Sequence, residues 1–292
     1  MHVLLTGGTG FVGSAVLNAL LAEGHDVTAI ARSEQSAKVL DAAGATAVIG
    51  DITDIAWFTA QLAAVDGAIH TASPNDATSP DFDRAAATAA VEAYSGTGKP
   101  YVHTSGVWVY GSGDDLTEQS PYNAPPITAW REDVAKVVLS AEGARVSIVV
   151  PGIVYGGGKG IPNVITSAPR TDDGALLLVG DGEQHWATVH ADDLADLYVR
   201  ALTNGLDGAY YLGVSGHPTV RELGEAAARA VGATGVAADT VENTRARFGE
   251  AFADALLLNQ YVTGTRGQTE LGWAPHRASL ADELEHGSYL VG

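Results

Sequence analysis

Glycines near the start of the chain have the spacing that could hold a pyrophosphate. In residues 6–13, which follow a short apolar run, Gly7, Gly10 and Gly13 fit G-x-x-G-x-x-G, and Gly8, Gly10 and Gly13 fit G-x-G-x-x-G. Glycines permit the tight turn and let the backbone approach the phosphates, and the N–H groups of a following helix bind their charge. Helical spacing of apolar residues comes directly afterwards. The segment therefore predicts a dinucleotide-binding turn.

The residue after the second predicted strand distinguishes the two nicotinamide dinucleotides. An acidic residue there binds the ribose hydroxyls of NAD(H), whereas an arginine pairs with the 2′-phosphate of NADP(H). The chain has Arg32 and Ser33 at this point and no acid. We therefore predict NADP(H) over NAD(H), with a solvated surface arginine as the alternative.

The elements that must position this turn alternate between strand and helix through the first half of the chain. Such alternation predicts a Rossmann-type α/β fold, a doubly wound parallel sheet with helices on both faces and its ligand at the carboxyl ends of the strands. The predicted strands after the first are at 26–31, 46–49, 67–70, 101–104 and 146–150, and a helix is predicted at 127–142.

After residue 151 the regular alternation of strand and helix ends. A hairpin-like pair of strands is expected at 176–179 and 186–189, and one helix at 241–258. We predict a dinucleotide-binding domain formed by residues 1–155 and 186–212, and a smaller C-terminal substrate-binding subdomain formed by residues 156–185 and 213–292.

Composition excludes several classes of function. The 292 residues carry a net charge of −19, which argues against nucleic acid or an anionic membrane as a partner. The chain has no cysteine, its histidines form no metal-binding motif, and no G-x-S-x-G elbow is present. We expect a cytoplasmic protein without a metal, secretory signal or membrane span, acting on a small molecule. A homodimer is one open option for its assembly.

An ordered series of motifs resembles the extended or atypical branch of the short-chain dehydrogenase/reductase superfamily, which includes epimerases and dehydratases. Besides the glycine turn, the series consists of GDI at 50–52, HTA at 70–72, TSGVWVYG at 104–111, PGIVYG at 151–156, GDG at 180–182, VHADDLA at 189–195 and LGWAP at 271–275. The resemblance implies a cofactor site formed by Gly7, Gly8, Thr9, Gly10, Phe11, Val12, Arg32, Ser33, Asp51, Ile52, Thr71, Ala72, Ser73, Thr104, Pro151, Ile153 and Val154.

The proton-transfer residues of that superfamily are missing. Catalytic members have a Ser, a Tyr and, four residues after the Tyr, a Lys on the same helix face. Here Arg131 occupies the tyrosine position and Ala135 the lysine position, while Lys136 lies about 140° around the helix from Arg131. The serine position holds Gly106, and Ser105 precedes it, facing the other side unless the strand has already ended.

Three residues are candidate substitutes. Tyr155 follows the sixth predicted strand and could be the acid or a packing residue, Arg131 could polarise an oxyanion or form a surface ion pair, and Ser105 could donate to a carbonyl or cap the strand end. Trp108, Trp130 and Trp186 are expected to line an aromatic pocket with little positive charge.

These residues favour an NADP(H)-dependent oxidoreductase that reduces a carbonyl or imine of a small, largely apolar substrate with a non-standard proton donor. A sugar-nucleotide epimerase or dehydratase is the second hypothesis, weakened by the missing Tyr and Lys and by the lack of an arginine clamp for a diphosphate. A non-catalytic NADP sensor, resembling the repressor-type regulators of the superfamily, is the third.

Overall fold

The computed structural model describes residues 1–290. Over these residues the strands are β1 His2–Thr6, β2 Asp26–Ala31, β3 Thr46–Ile49, β4 Gly67–His70, β5 Pro100–Thr104, β6 Gly113–Leu116, β7 Arg145–Pro151, β8 Ile153–Tyr155, β9 Leu176–Leu177, β10 Thr188–His190, β11 Ala209–Gly213, β12 Val236–Ala237 and β13 Gln260–Val262. The six strands predicted up to residue 150 all form.

Helices connect these strands, and several begin at a side-chain cap of the expected type. Ser33 caps α2, and Thr219 forms a capping box with Glu222 at the start of α8. The helices are α1 Phe11–Ala22, α2 Glu34–Ala42, α3 Ile55–Ala63, α4 Ser79–Tyr94, α5 Trp130–Val138, α6 Asn163–Thr166, α7 Ala191–Asn204, α8 Val220–Ala230, α9 Val241–Phe248, α10 Glu250–Leu256, α11 Arg266–Leu271 and α12 Leu280–His286, with a 3-10 turn at Val107–Tyr110.

Seven parallel strands form the central sheet in the order β11-β7-β5-β4-β1-β2-β3. The chain first builds outward from β1 to β3 and then crosses to the other side of β1, where β4 begins the second half. The strand order therefore reverses between β1 and β4, and the carboxyl ends of these strands leave a crevice there. The predicted Rossmann-type fold is confirmed.

Apolar side chains cover both faces of the sheet because successive strand residues point to opposite sides. In β1, Leu4 packs into the cluster that includes residues of α3, α4 and α5, whereas Val3 and Leu5 pack into the cluster with α1 and α7. Alanines on the buried side of α4, such as Ala86 and Ala90, let this helix approach the sheet closely.

The structure differs from the prediction in three places. No hairpin forms from the two predicted strands, because β9 pairs in parallel with β12 and β10 pairs in parallel with β8. The helix predicted at 241–258 is two helices, since Gly249 takes a φ of 80° between α9 and α10. The helix predicted at 127–142 is shorter and forms only α5.

A third apolar cluster joins α8, α10 and α12 to strand β8. Strand β11, which lies between β8 and α8 along the chain, forms the edge of the main sheet. The boundaries of the two predicted domains stay a prediction. Among the helices of residues 1–290, none is long and apolar enough to cross a membrane.

Candidate active site

A cleft of about 1130 Å³ lies over the carboxyl ends of the central strands. It brings together most of the residues that the sequence assigns to a cofactor site. Those that line it are Gly7, Thr9, Gly10, Phe11, Val12, Arg32, Asp51, Ile52, Thr71, Ala72, Ser73, Thr104, Pro151, Ile153 and Val154.

The glycine turn between β1 and α1 depends on close backbone approaches. Gly7 has a φ of 78°, and a Cβ there would lie 2.7 Å from the backbone nitrogen of Ala72. A Cβ at Gly13 would lie 2.0 Å from the carbonyl oxygen of Gly7. Gly10 is the N-cap of α1, so the free N–H groups of its first turn lie at the cleft. The turn therefore has the shape and the donors that a pyrophosphate needs.

Two residues assigned to the cofactor site are not among the residues that line the cleft. A Cβ at Gly8 would lie 2.9 Å from Leu40, so this glycine allows α2 to pack against the turn. The Ser33 hydroxyl accepts a hydrogen bond from the backbone N–H of Ser36 and caps α2. Both residues therefore stabilise the packing of α2 next to the turn and do not line the cleft.

Ser105 lies directly beyond the end of β5. The sequence left open whether this serine faces the other side of the strand, and its position after the strand end answers that question. The strand ends at Thr104, so Ser105 is free of the alternation and both it and Gly106 line the cleft. Its backbone N–H donates to the carbonyl of Val149, which holds it in place. The Ser105 hydroxyl is buried, with no hydrogen-bond partner among residues 1–290. A buried hydroxyl at a cleft wall can donate to a ligand oxygen.

Arg131 also reaches the cleft, from the first turn of α5. One guanidinium nitrogen, Nη1, donates to the carbonyl oxygen of Thr104 at 3.2 Å and lies 3.5 Å from Oδ2 of Asp83. The guanidinium stacks on the indole of Trp130 with 4.4 Å between their centres. Burial lowers the pKa of Arg131 and Asp83 opposes this change, but an arginine remains charged at neutral pH. Lys136 pairs instead with Glu132 on the exposed side of α5.

Sequence reasoning missed Asp83 and its pairing with His70. The Asp83 carboxylate is buried beside the sheet, and its Oδ1 lies 3.1 Å from Nε2 of His70. Burial raises the pKa of Asp83, but the hydrogen bond from His70 and the nearby charge of Arg131 lower it, and the resulting pKa lies below the ordinary value. Asp83 shares the buried stripe of α4 with the alanines at 86, 87 and 90. An acidic residue on an apolar stripe was the signal that could have revealed it.

Tyr155 does not line this cleft. This corrects the expectation that its hydroxyl could be the acid. Along β8, Val154 lines the cleft and Tyr155 points to the opposite side, as strand geometry requires. Its hydroxyl donates to the carbonyl of Ala278 at 2.8 Å and its ring borders a separate cavity of about 520 Å³. Burial raises its pKa to about 12. Its place in the structure fits the packing alternative.

Trp186 is likewise outside the cleft, whereas Trp108 and Trp130 line it as expected. The Trp186 ring is buried in the third apolar cluster, and its indole N–H donates to the carbonyl of Leu256 at 2.9 Å. Phe252 of α10 supplies aromatic surface instead, packing edge-on against Trp108 with ring centroids 6.0 Å apart. Phe82, Ile161 and Val164 extend this apolar wall.

Comparison with known proteins identifies the family. A model of the NAD dependent epimerase/dehydratase family matches residues 3–213. The chain belongs to this family. The predicted resemblance is thereby confirmed, and the chain is of the NAD(P)-binding, oxidoreductase-like type that the family groups together.

Relatives of this family member cover nearly its whole length. An uncharacterized protein of Schizosaccharomyces pombe is 31% identical over 99% of this chain and 100% of its own. A 2-alkyl-3-oxoalkanoate reductase of Stenotrophomonas maltophilia is 28% identical over 80% of this chain and 76% of its own. The structure of a dTDP-glucose 4,6-dehydratase from Streptomyces venezuelae, a double mutant with NAD bound, matches with a TM-score of 0.77 and 26% identity, covering 99% of this chain and 96% of that one.

Proposed function

We propose that the protein is an NADP(H)-dependent reductase of the short-chain dehydrogenase/reductase type, acting on the carbonyl or imine group of a small, largely apolar substrate. The glycine turn fits the cofactor, because its close backbone approaches leave the first N–H groups of α1 open toward the cleft. Arg32 would hold the 2′-phosphate, and Thr71, Ala72, Thr104 and Pro151 would flank the dinucleotide. When bound, the reduced nicotinamide supplies the hydride.

The observation that carries the proposal is that two polar residues line the same cleft as a set of aromatic side chains. Ser105 and Arg131 both line the cleft, and Trp108, Trp130 and Phe252 lie in the same cavity. A carbonyl oxygen that accepts from both groups would gain negative charge as its carbon is reduced, and fixed donors stabilise that charge. Arg131 holds its proton too tightly to release it, so the product hydroxyl would take its proton from solvent.

The charge of the cleft supports an apolar substrate over a sugar nucleotide. Within the described part of the chain, Arg32 and Arg131 are the arginine or lysine side chains that line it. Arg32 lies at the adenosine end and Arg131 is already paired with Asp83. Arg or Lys clamps typically hold the diphosphate of a sugar nucleotide, and the described lining of the cleft has no arginine or lysine beyond these two.

The direct test is to incubate the purified protein with NADPH and a panel of apolar ketones, aldehydes and cyclic imines, following the loss of NADPH absorbance. Turnover of at least one class is the expected result. Tight NADPH binding without turnover on any compound would overturn the proposal in favour of a sensor. Co-purified oxidised cofactor together with binding of a nucleotide sugar would overturn it in favour of an epimerase or dehydratase.

The NADP(H) preference is tested by Arg32→Asp. The variant removes the partner of the 2′-phosphate and adds a repulsive charge, so the ratio of NADPH to NADH affinity should fall by about 100-fold. Titration calorimetry with both nucleotides measures it. Arg84→Asp, which makes the same charge change on the exposed side of α4, is the control and should leave the ratio unchanged. An unaltered ratio in Arg32→Asp would refute the preference.

A further inference from the structure

A buried chain of polar side chains leads from the glycine turn to the catalytic end of the cleft. Thr6, the last residue of β1, has its hydroxyl 2.8 Å from Nδ1 of His70. His70 contacts Asp83 through its other ring nitrogen, and Asp83 faces Arg131 with its second oxygen. Thr6, His70 and Asp83 are almost completely excluded from solvent. Such a chain is costly to bury unless each member is satisfied.

The hydrogen bonds around Thr6 assign the direction of this chain. The Thr6 hydroxyl oxygen accepts from the backbone N–H groups of Thr71 and Ala72 at 3.2 and 3.3 Å. Its own hydrogen is then available to Nδ1 of His70, which places the ring hydrogen on Nε2. Nε2–H therefore donates to Oδ1 of Asp83, and this leaves Oδ2 directed at the guanidinium.

Asp83 holds Arg131 without reaching the cleft itself. The Asp83 side chain is 3% exposed and is not among the cleft-lining residues, whereas the Arg131 side chain is 19% exposed and lines the cleft. An arginine side chain has several rotatable bonds and would sample many positions in an open cleft. The carboxylate on one side, the Thr104 carbonyl and the Trp130 ring restrict it to one.

We propose that Asp83, oriented by His70, is the positioning residue of this site: it fixes the Arg131 guanidinium beside Ser105, ready for the reacting oxygen of the substrate. This inference rests on the proposed reductase function for its kinetic consequences. Its structural content is that a buried carboxylate on α4 orders a cation on α5 at the position where related enzymes have their tyrosine. Donors fixed in advance stabilise developing charge without reorganising during the reaction.

A double-mutant cycle tests the proposal. Asp83→Asn keeps the size of the side chain and removes its charge, so kcat should fall about 30-fold while the affinity for NADPH changes less than about twofold. Arg131→Ala should lower kcat by about 100-fold. If Asp83 acts through Arg131, adding Asp83→Asn to Arg131→Ala should cost less than about twofold more. Losses that multiply would overturn the proposal.

Two further variants serve as a control for the cycle and as an alternative to Asp83→Asn. Asp81→Asn makes the same charge change on the exposed side of α4, and it should leave kcat unchanged. His70→Gln leaves the Asp83 carboxylate in place but removes its ring donor, so kcat should fall about tenfold, again only when Arg131 is present. His70→Gln serves for the cycle if Asp83→Asn does not fold, as judged by circular dichroism.

A measurement without turnover separates this inference from the reductase proposal. In ¹⁵N NMR spectra, rotation of the Arg131 guanidinium about its Nε–Cζ bond should be slow in the wild-type protein and fast in Asp83→Asn or His70→Gln. Slow rotation that depends on Asp83, in a protein that reduces no carbonyl, would refute the reductase and retain the positioning role. Equal rotation rates in the wild-type protein and the variants would refute the positioning role whatever the enzyme does.

Discussion

The two ends of the cleft are built in opposite ways. At the pyrophosphate end, consecutive residues 6–13 form the site with their backbone, and the spacing of the glycines permits its close approaches. At the proposed catalytic end, Ser105 and Arg131 come from separate elements, and Asp83 on a third element contacts Arg131. A site made of one contiguous backbone segment can be recognised from its sequence. A site made of side chains from distant elements depends on how those elements pack.

The pyrophosphate end should lose its affinity for NADPH when the close approach of its backbone is blocked. In Gly13→Ala the new Cβ would lie 2.0 Å from the Gly7 carbonyl, so the turn must open and NADPH affinity should fall by about 100-fold or more. Titration calorimetry measures the affinity. Asn18→Ala, on the exposed side of α1, is the control and should bind as the wild-type protein does. Undiminished binding by Gly13→Ala would mean that this turn holds no pyrophosphate.

The catalytic end should lose activity in steps and keep its cofactor. Ser105→Ala removes one donor from the wall and should lower kcat by about 10- to 100-fold, since one hydrogen bond to a developing oxyanion is worth about 1.5–3 kcal/mol. NADPH affinity should stay within about twofold, as determined by the same calorimetry. Ser95→Ala, at an exposed position just after the end of α4, is the matched control. Loss of cofactor binding with unchanged kcat would place Ser105 in the cofactor site instead.

The same contrast explains how much the sequence could predict. Strand alternation predicted the sheet, and the motif series predicted the family, because both signals are local. Tyr155 was a candidate acid because it follows the sixth predicted strand, and Trp186 was expected in the aromatic pocket. Long-range packing, which no local signal shows, instead directs Tyr155 to a second cavity and Trp186 into the third apolar cluster. The predicted hairpin was wrong for the same reason, since nothing local indicated that β9 and β10 would each pair with a different distant strand.

Asp83 shows the same limit from the other side. The helix that carries it was expected, but its partner His70 lies at the end of β4 and Arg131 lies on α5. No spacing along the chain connects these residues. Only the packing of α4 against α5 and the sheet brings the carboxylate under the arginine.

Buried titratable groups beneath the cleft should also make stability depend on pH. Burial lowers the pKa of His103 to about 3 from an ordinary value of 6.5. Between these pH values the unfolded chain binds a proton that the folded chain does not, so the free energy of unfolding should fall as pH decreases, by up to about 1.4 kcal/mol per pH unit from this group. The lowered pKa of Asp83 acts in the same direction at lower pH.

Denaturant unfolding at several pH values checks this dependence. His103→Phe removes the titrating ring and should make the slope shallower between pH 6.5 and pH 4, while the slopes of the two proteins should coincide above pH 7. A slope that is equally steep in His103→Phe would show that other groups carry the pH dependence.

Substitution of Tyr155 should have the smallest effect, and it tests whether this residue lies outside the catalytic end. Its hydroxyl donates to the carbonyl of Ala278 and its ring borders a different cavity, so Tyr155→Phe should leave kcat within about twofold and lower the free energy of unfolding by about 1 kcal/mol. Steady-state kinetics and denaturant unfolding measure the two quantities, with the exposed Tyr261→Phe as a control that should change neither. A fall in kcat of about 100-fold would return the role of acid to Tyr155. Because Tyr155 and Val154 are neighbours on β8 with opposite orientations, such a result would require this strand to turn over when substrate binds.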